Sequence, residues 1–158
     1  MKAEEYSFRL MSAGEVEDVC RFVNNVFDRS VAAHCSEKGR RSFREYADPE
    51  AMSHRIRTDH FVLLGEEDGR LSGMIEVRGH RHVSLLFVDL QQQGRGLGHA
   101  LLQRAVEICQ AEDPNVREIT VNSSPNAVEI YERMGFDAIG REQSIKGVRS
   151  TPMKLRLS

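Results

Sequence analysis

Residues 83 to 98 join three things in order. An apolar run, Val83-Ser84-Leu85-Leu86-Phe87-Val88, comes first; the turn Gln91-Gln92-Gln93-Gly94-Arg95-Gly96-Leu97-Gly98 follows; and an amphipathic stretch opens at Leu97. A strand that feeds a helix through closely spaced glycines is a demanding arrangement. The backbone must adopt conformations that other residues resist, and the first N–H groups of the helix have no partners inside it. Such a turn lets a ligand approach the main chain, and its free N–H groups favour negative charge, so it reads as a phosphate-binding turn. Two familiar phosphate loops fail on spacing. A dinucleotide fingerprint G-x-G-x-x-G from Gly94 requires glycine where His99 stands, and from Gly96 it requires glycine where Leu101 stands. No G-K-[ST] tripeptide follows, which removes the P-loop.

The rest of the chain sets this turn in an α/β pattern. Tyr6 to Leu10 alternates apolar and polar residues, the period of a half-buried strand. Ser12 and Glu15 have capping-box spacing, and Val16, Val19, Cys20, Val23 and Phe27 recur on one helical face, with an end expected near Asp28. Residues 29 to 60 are polar and broken by Gly39 and Pro49; helices are expected over Lys38 to Tyr46 and Glu50 to Arg57. Phe61 to Leu64 and Gly73 to Val77 read as strands of a hairpin turning at Glu67-Asp68-Gly69. Beyond the glycine turn, Leu97, Leu101, Ala105, Ile108 and Cys109 share a helix face, and Pro114 lies past its end. Strands are expected at Glu118 to Asn122, Phe136 to Arg141 and Met153 to Leu157.

At 158 residues, with 40% hydrophobic and 29% charged residues and a net charge of -2, the chain reads as one domain, residues 1–158, of ordinary globular composition. Basic residues are scattered, with no block interleaved with aromatics, so no nucleic-acid partner is expected. Cys20, Cys35 and Cys109 form an odd set without C-x-x-C spacing, which points to reduced thiols. Met1-Lys2-Ala3-Glu4-Glu5 lacks the apolar core of a signal peptide, and no run reaches membrane-spanning length. The expectation is a cytoplasmic protein with no membrane partner. Homodimerisation through a strand edge or the early helices is conceivable on general grounds, with no specific feature behind it.

What survives the exclusions, Q-x-x-G-x-G on Gln93, Gly96 and Gly98, resembles the acyl-CoA pyrophosphate loop of the GNAT superfamily of N-acyltransferases. A second stretch, Ile119 to Phe136, resembles that family independently: a strand, then Asn126 near a helix start, Tyr131 further along it, and Gly135-Phe136 at its stop. The resemblance implies a GNAT fold, a mixed and mostly antiparallel twisted sheet of about six or seven strands with helices on both faces. It also implies a splay between the fourth and fifth strands, here Val83 to Val88 and Glu118 to Asn122, filled by the pantetheine arm. It further implies acetyl-CoA as cosubstrate and direct transfer of the acetyl group to a primary amine of a small-molecule or protein acceptor.

By the same resemblance, the backbone of Leu86, Phe87 and Val88 meets the pantetheine, and that of Gln93, Gly94, Arg95, Gly96, Leu97, Gly98 and His99 holds the pyrophosphate. Arg95 either reaches a phosphate with its side chain or is a solvated arginine. Tyr131 is the candidate acid, since a phenol with pKa near 10 is protonated at neutral pH and can donate to a departing thiolate; alternatively its ring packs on Val128 and its hydroxyl meets a carbonyl. Asn126 either contacts the coenzyme or caps a helix with Glu129, a role that Ser124 before Pro125 fits equally well.

In several amine-acetylating relatives a glutamate early in the fourth strand serves as base; here His82 takes that place, chemically suitable with an ordinary pKa of about 6.5. Glu76, between Ile75 and Val77, is the other base candidate, or an anion for a cationic substrate, or merely the polar side of a strand. His80 and His82 have no further ligands beside them, so no metal is expected. A dedicated base is dispensable where positioning of an already neutral amine supplies the rate. A different class of function shares these features, a non-catalytic acyl-CoA sensor or partner-binding module.

Overall fold

A computed structural model describes residues 5–158; residues 1–4 of the N-terminal stretch considered above lie outside the described residues. The chain runs β1 (Ser7–Leu10), α1 (Val16–Ser30), α2 (Glu37–Tyr46), α3 (Pro49–Ile56), β2 (His60–Glu67), β3 (Arg70–Arg78) and β4 (His82–Val88). It continues with α4 (Leu97–Glu112), β5 (Glu118–Ser123), α5 (Val128–Arg133), β6 (Asp137–Ala138), β7 (Gln143–Ile145) and β8 (Val148–Arg156). The strands form one sheet in the order β1-β2-β3-β4-β5-β8-β6, with β7 also paired to β8. All pairings are antiparallel except β4 with β5. The sheet thus has eight strands rather than six or seven. The expected strand Phe136 to Arg141 is reduced to Asp137–Ala138, and β7 adds a hairpin with β8.

Each face of the sheet has its own helical cover. Leu97, Leu101, Ala105 and Cys109 of α4 pack on Ile75, Val77, Val83, Ile119 and Val121. On the other face, Val16, Val19, Cys20 and Val23 of α1 and Met52 of α3 pack on Val62, Leu64, Met74 and Leu85. Both apolar stripes are those the 3.6-residue period predicts. The β2–β3 hairpin turns on Asp68 and Gly69, both at positive φ, the geometry that suits a two-residue turn between twisted strands. All three cysteines are buried and free.

Residues 29 to 60 organise into a short turn and two capped helices. Ser36 accepts the Gly39 N–H at the start of α2, and Asp48 accepts the N–H groups of Glu50 and Ala51 at the start of α3. The β7–β8 turn docks on this capped end: Ser36 donates its N–H and its hydroxyl to the Gly147 carbonyl. A Cβ on Gly39 would lie 2.2 Å from that carbonyl oxygen, so the contact requires glycine.

Two features of β4 position the site. Opposite β3 its register shifts, from Val77↔Val83 to Glu76↔Leu85, which leaves Ser84 as a bulge. Opposite β5 it pairs at His82↔Thr120 and Val83↔Val121 and then parts from it. A bulge bends its strand and increases the local twist. The opening between β4 and β5 therefore starts at the bulge and widens toward the glycine turn.

Candidate functional site

The opening has a floor of main chain. Asp89 donates its N–H to the Ser72 carbonyl of the β3 edge. By strand alternation, the N–H and C=O of Phe87 then point to β3, while those of Leu86 and Val88 point into the opening. Of the three residues expected to meet a pantetheine, Phe87 is thus the exception. Its main chain belongs to the sheet, and its ring meets Phe43 edge-on at 5.7 Å. Gln93 closes the wide end, its amide donating to the Val88 carbonyl at 3.1 Å.

At that end Gly94 and Gly96 hold φ of 81° and 87°, and Gly96 is the N-cap of α4. The first intrahelical bond runs from Ala100 N–H to Gly96 O, so the amides of Leu97, Gly98 and His99 are free of helical partners. A Cβ on Gly98 would meet nothing closer than Val88 at 3.7 Å; its absence keeps the amide cradle uncovered. Arg95 is engaged elsewhere. It donates to Gln92, lies 3.2 Å from Glu5 and 3.3 Å from Glu67, and approaches the Tyr6 ring. Those carboxylates compete with any phosphate for its guanidinium, so the charge at the loop comes from backbone dipoles.

Tyr131 projects from α5 into the core on the α4 side, 7% exposed, with its ring edge-on to Phe136 at 5.2 Å. Its packing partner is Phe136 rather than Val128 alone. Burial raises its pKa, with no charged neighbour contributing, so the phenol is neutral throughout the physiological range. Asn126 is not the cap of α5: it lies within the turn Pro125–Ala127, and its Oδ1 accepts the Ser124 hydroxyl at 3.0 Å.

His82 and Glu76, the two base candidates, have different surroundings. His82 sits where β4 and β5 close, its Nδ1 2.7 Å from the Thr120 hydroxyl. Burial, with Arg78 and His60 nearby, lowers its pKa from 6.5 to about 4. Its imidazole is therefore neutral at pH 7, a hydrogen-bonding group and a weak base. Glu76 is fully buried. Arg55 donates to both its oxygens, at 2.7 and 3.1 Å, and His60 Nδ1 lies 2.6 Å away. This corrects the expectation for Glu76: a carboxylate buried under α3, with an arginine fork and an imidazole on it, is out of reach of substrate. Arg55 and His60 were legible only as scattered basic residues, because they lie 21 and 16 positions from Glu76.

Surface depressions elsewhere, over Arg40, Arg41 and Arg44 of α2 and beside Glu17 and Arg57, lie on outer helical faces. Among the described residues no group of three or more His, Cys, Asp or Glu side chains is placed to hold a metal ion, and no helix is long and apolar enough to cross a membrane.

Comparison with known proteins agrees with this geometry. The family model for the acetyltransferase (GNAT) domain matches residues 31–157. Aminoglycoside N(6')-acetyltransferase type 1 of Klebsiella pneumoniae is 34% identical over 83 residues, 51% of this chain and 40% of that protein. The match thus spans less than half of the relative's length. Among solved structures, a GCN5-related N-acetyltransferase from Rhodopseudomonas palustris superimposes with a TM-score of 0.81 at 20% identity, covering 96% of this chain and 95% of the other. PaiA N-acetyltransferase from Thermoplasma acidophilum, in complex with coenzyme A, gives 0.79 at 18% identity, covering 96% and 99%.

Proposed function

The chain belongs to the GNAT acetyltransferases, and from that premise we propose that it transfers an acetyl group from acetyl-CoA directly to a primary amine. The observation that carries this reading is the continuity of the site: an opening edged by the main chain of Leu86 and Val88, with only the Val88 carbonyl taken up by Gln93, runs straight into the helix-terminal amides of 97–99. An extended, amide-bearing arm with a pyrophosphate at one end matches both halves. Amides in the arm pair with the strand edge, and the pyrophosphate takes the helix start.

Transfer requires a neutral amine, a donor for the carbonyl oxygen as charge develops on it, and a proton for the departing sulfur. Tyr131, kept neutral by burial, is suited to protonate the sulfur as the C–S bond breaks. The irregular main chain around Ser84 is the source of a donor for the oxygen. Neutral His82 is placed to accept a hydrogen bond from the amine or relay its proton to solvent; with so low a pKa it does little proton abstraction, and positioning of the amine carries more of the rate. The aminoglycoside-acetylating relative supports an amine acceptor without identifying it.

Calorimetric titration with acetyl-CoA, with dephospho-CoA and ATP as controls and a Gly96→Val variant beside the native chain, tests the reading. Micromolar binding of acetyl-CoA, lost by ~100-fold in the variant because valine resists the left-handed cap, is expected. No binding by the native chain would defeat the proposal, and binding without product from any amine would favour the sensor instead.

A further inference from the structure

The buried Arg55–Glu76 pair is unused by this chemistry, yet a buried ion pair is costly to desolvate. Its geometry shows what it holds. With its edge fixed on Glu76, the Arg55 guanidinium lies 3.6 Å from the centroid of the Tyr46 ring and donates to the Tyr46 carbonyl at 2.6 Å. Tyr46, the last residue of α2, is thereby clamped by ring and backbone together. Its hydroxyl lies beside Ser84, the bulge residue of β4. A line of contacts thus runs from β3 through α3 to the end of α2 and returns to β4 at the bulge.

Ser84 is also where the opening ends. A chain entering from the glycine turn and lying along β4 passes Val88 and Leu86 and must stop where Val83 closes on Val121. That path is four residues of strand, ~13 Å at ~3.3 Å per residue. Its reacting end therefore stops beside Ser84. Tyr131 lies on the α4 and α5 face, in the buried cluster that also holds Val83 and Val121. Tyr46 comes from the opposite face, packed with Val62, Met74 and Leu85. On that face β5 presents Thr120 and the exposed Asn122 beyond the helical cover, leaving a route from solvent.

We propose that Tyr46 is the acceptor-side contact of the reaction: its phenol oxygen, held over Ser84, accepts the N–H of the incoming amine and aims the nitrogen lone pair at the acetyl carbon. This rests on the transferase reading above. The two tyrosines divide the work between the faces, Tyr131 toward the sulfur and Tyr46 toward the amine. Arg55 and Glu76 are positioning residues that act through Tyr46.

The chain has three tyrosines, so incorporation of 3-fluorotyrosine gives three fluorine resonances. Tyr46→Phe identifies one of them; should that variant not fold, Tyr6→Phe and Tyr131→Phe assign it by difference. Titration with CoA should move the Tyr131 line, and acetyl-CoA should in addition move the Tyr46 line. A Tyr46 line indifferent to acetyl-CoA, while the Tyr131 line responds, overturns the inference and leaves the transferase reading standing. If calorimetry shows no acetyl-CoA binding, both fall together. With whichever of an aminoglycoside, spermidine or a lysine-containing peptide is acetylated, Tyr46→Phe should lower kcat/KM for the amine about 10-fold, the loss of one hydrogen bond at a desolvated site. The dissociation constant for acetyl-CoA should not change. An unchanged kcat/KM would equally overturn the assignment.

Discussion

The two faces of the β4–β5 opening are built by different means. On the α4 and α5 side the parts are local. The glycine turn, the first turn of α4 and the α5 tyrosine each lie within a few residues of the strand end they serve, and backbone geometry provides most of the binding surface. On the α1 to α3 side the parts are long-range: Tyr46 stands over Ser84 because Arg55 joins it to Glu76. The first face suits an invariant ligand made of phosphates and amides. The second depends on side chains from separate elements, a design in which acceptor choice can change without disturbing coenzyme binding.

Removing one partner of the buried pair should have the largest effect. Glu76→Ala leaves Arg55 charged and uncompensated, and is expected to lower stability by about 3–5 kcal/mol in urea denaturation. Glu76→Leu combined with Arg55→Leu should recover much of this, because no lone charge remains buried. A small loss in the single variant would mean that the clamp is weak and that long-range pairing does little to set the second face apart from the first.

The next effect is a pH dependence on His82. Its folded pKa, about 4, lies below the ordinary 6.5, so between these values the unfolded chain binds more protons. The stability that neutral His82 contributes is complete above pH 6.5 and lost as pH falls toward 4, by up to ~3 kcal/mol. Denaturation at pH 7, 5.5 and 4.5 should show this slope, and His82→Gln should flatten it. The same shift predicts no limb of the rate profile near pH 6.5 from His82.

Tyr131→Phe is expected to reduce kcat ~100-fold, at the low end of acid catalysis, with coenzyme affinity preserved because the ring packing on Phe136 is kept. Unaltered turnover would remove Tyr131 from the mechanism. Least of all, Arg95→Ala should change acetyl-CoA affinity by less than ~1 kcal/mol, since exposed ion pairs already hold its guanidinium. A larger loss would show that the arginine leaves Glu5 and Glu67 for a phosphate.

Most of the first face was legible in one dimension. Gly94 and Gly96 announce positive φ, the apolar positions of α4 recur at helical spacing, and Gly135 stops α5 before Phe136. Even the helices of residues 29 to 60 could be placed, from Gly39, Pro49 and polar caps. The second face was not legible in this way. Glu76 between Ile75 and Val77 looks like any polar residue of an alternating strand, and Tyr46 looks like the end of a helix.

Local order along the chain thus accounts for the strand, turn and helix that make the phosphate cradle, since backbone conformation and amphipathic period act over a few neighbouring residues. Packing assigned the remaining roles. It buried Glu76 under Arg55 and His60, engaged Arg95 with carboxylates, turned the main chain of Phe87 toward β3 and set Tyr46 on the bulge. Burial and charge pairing arise between residues far apart in sequence, and no local pattern records which of them will meet.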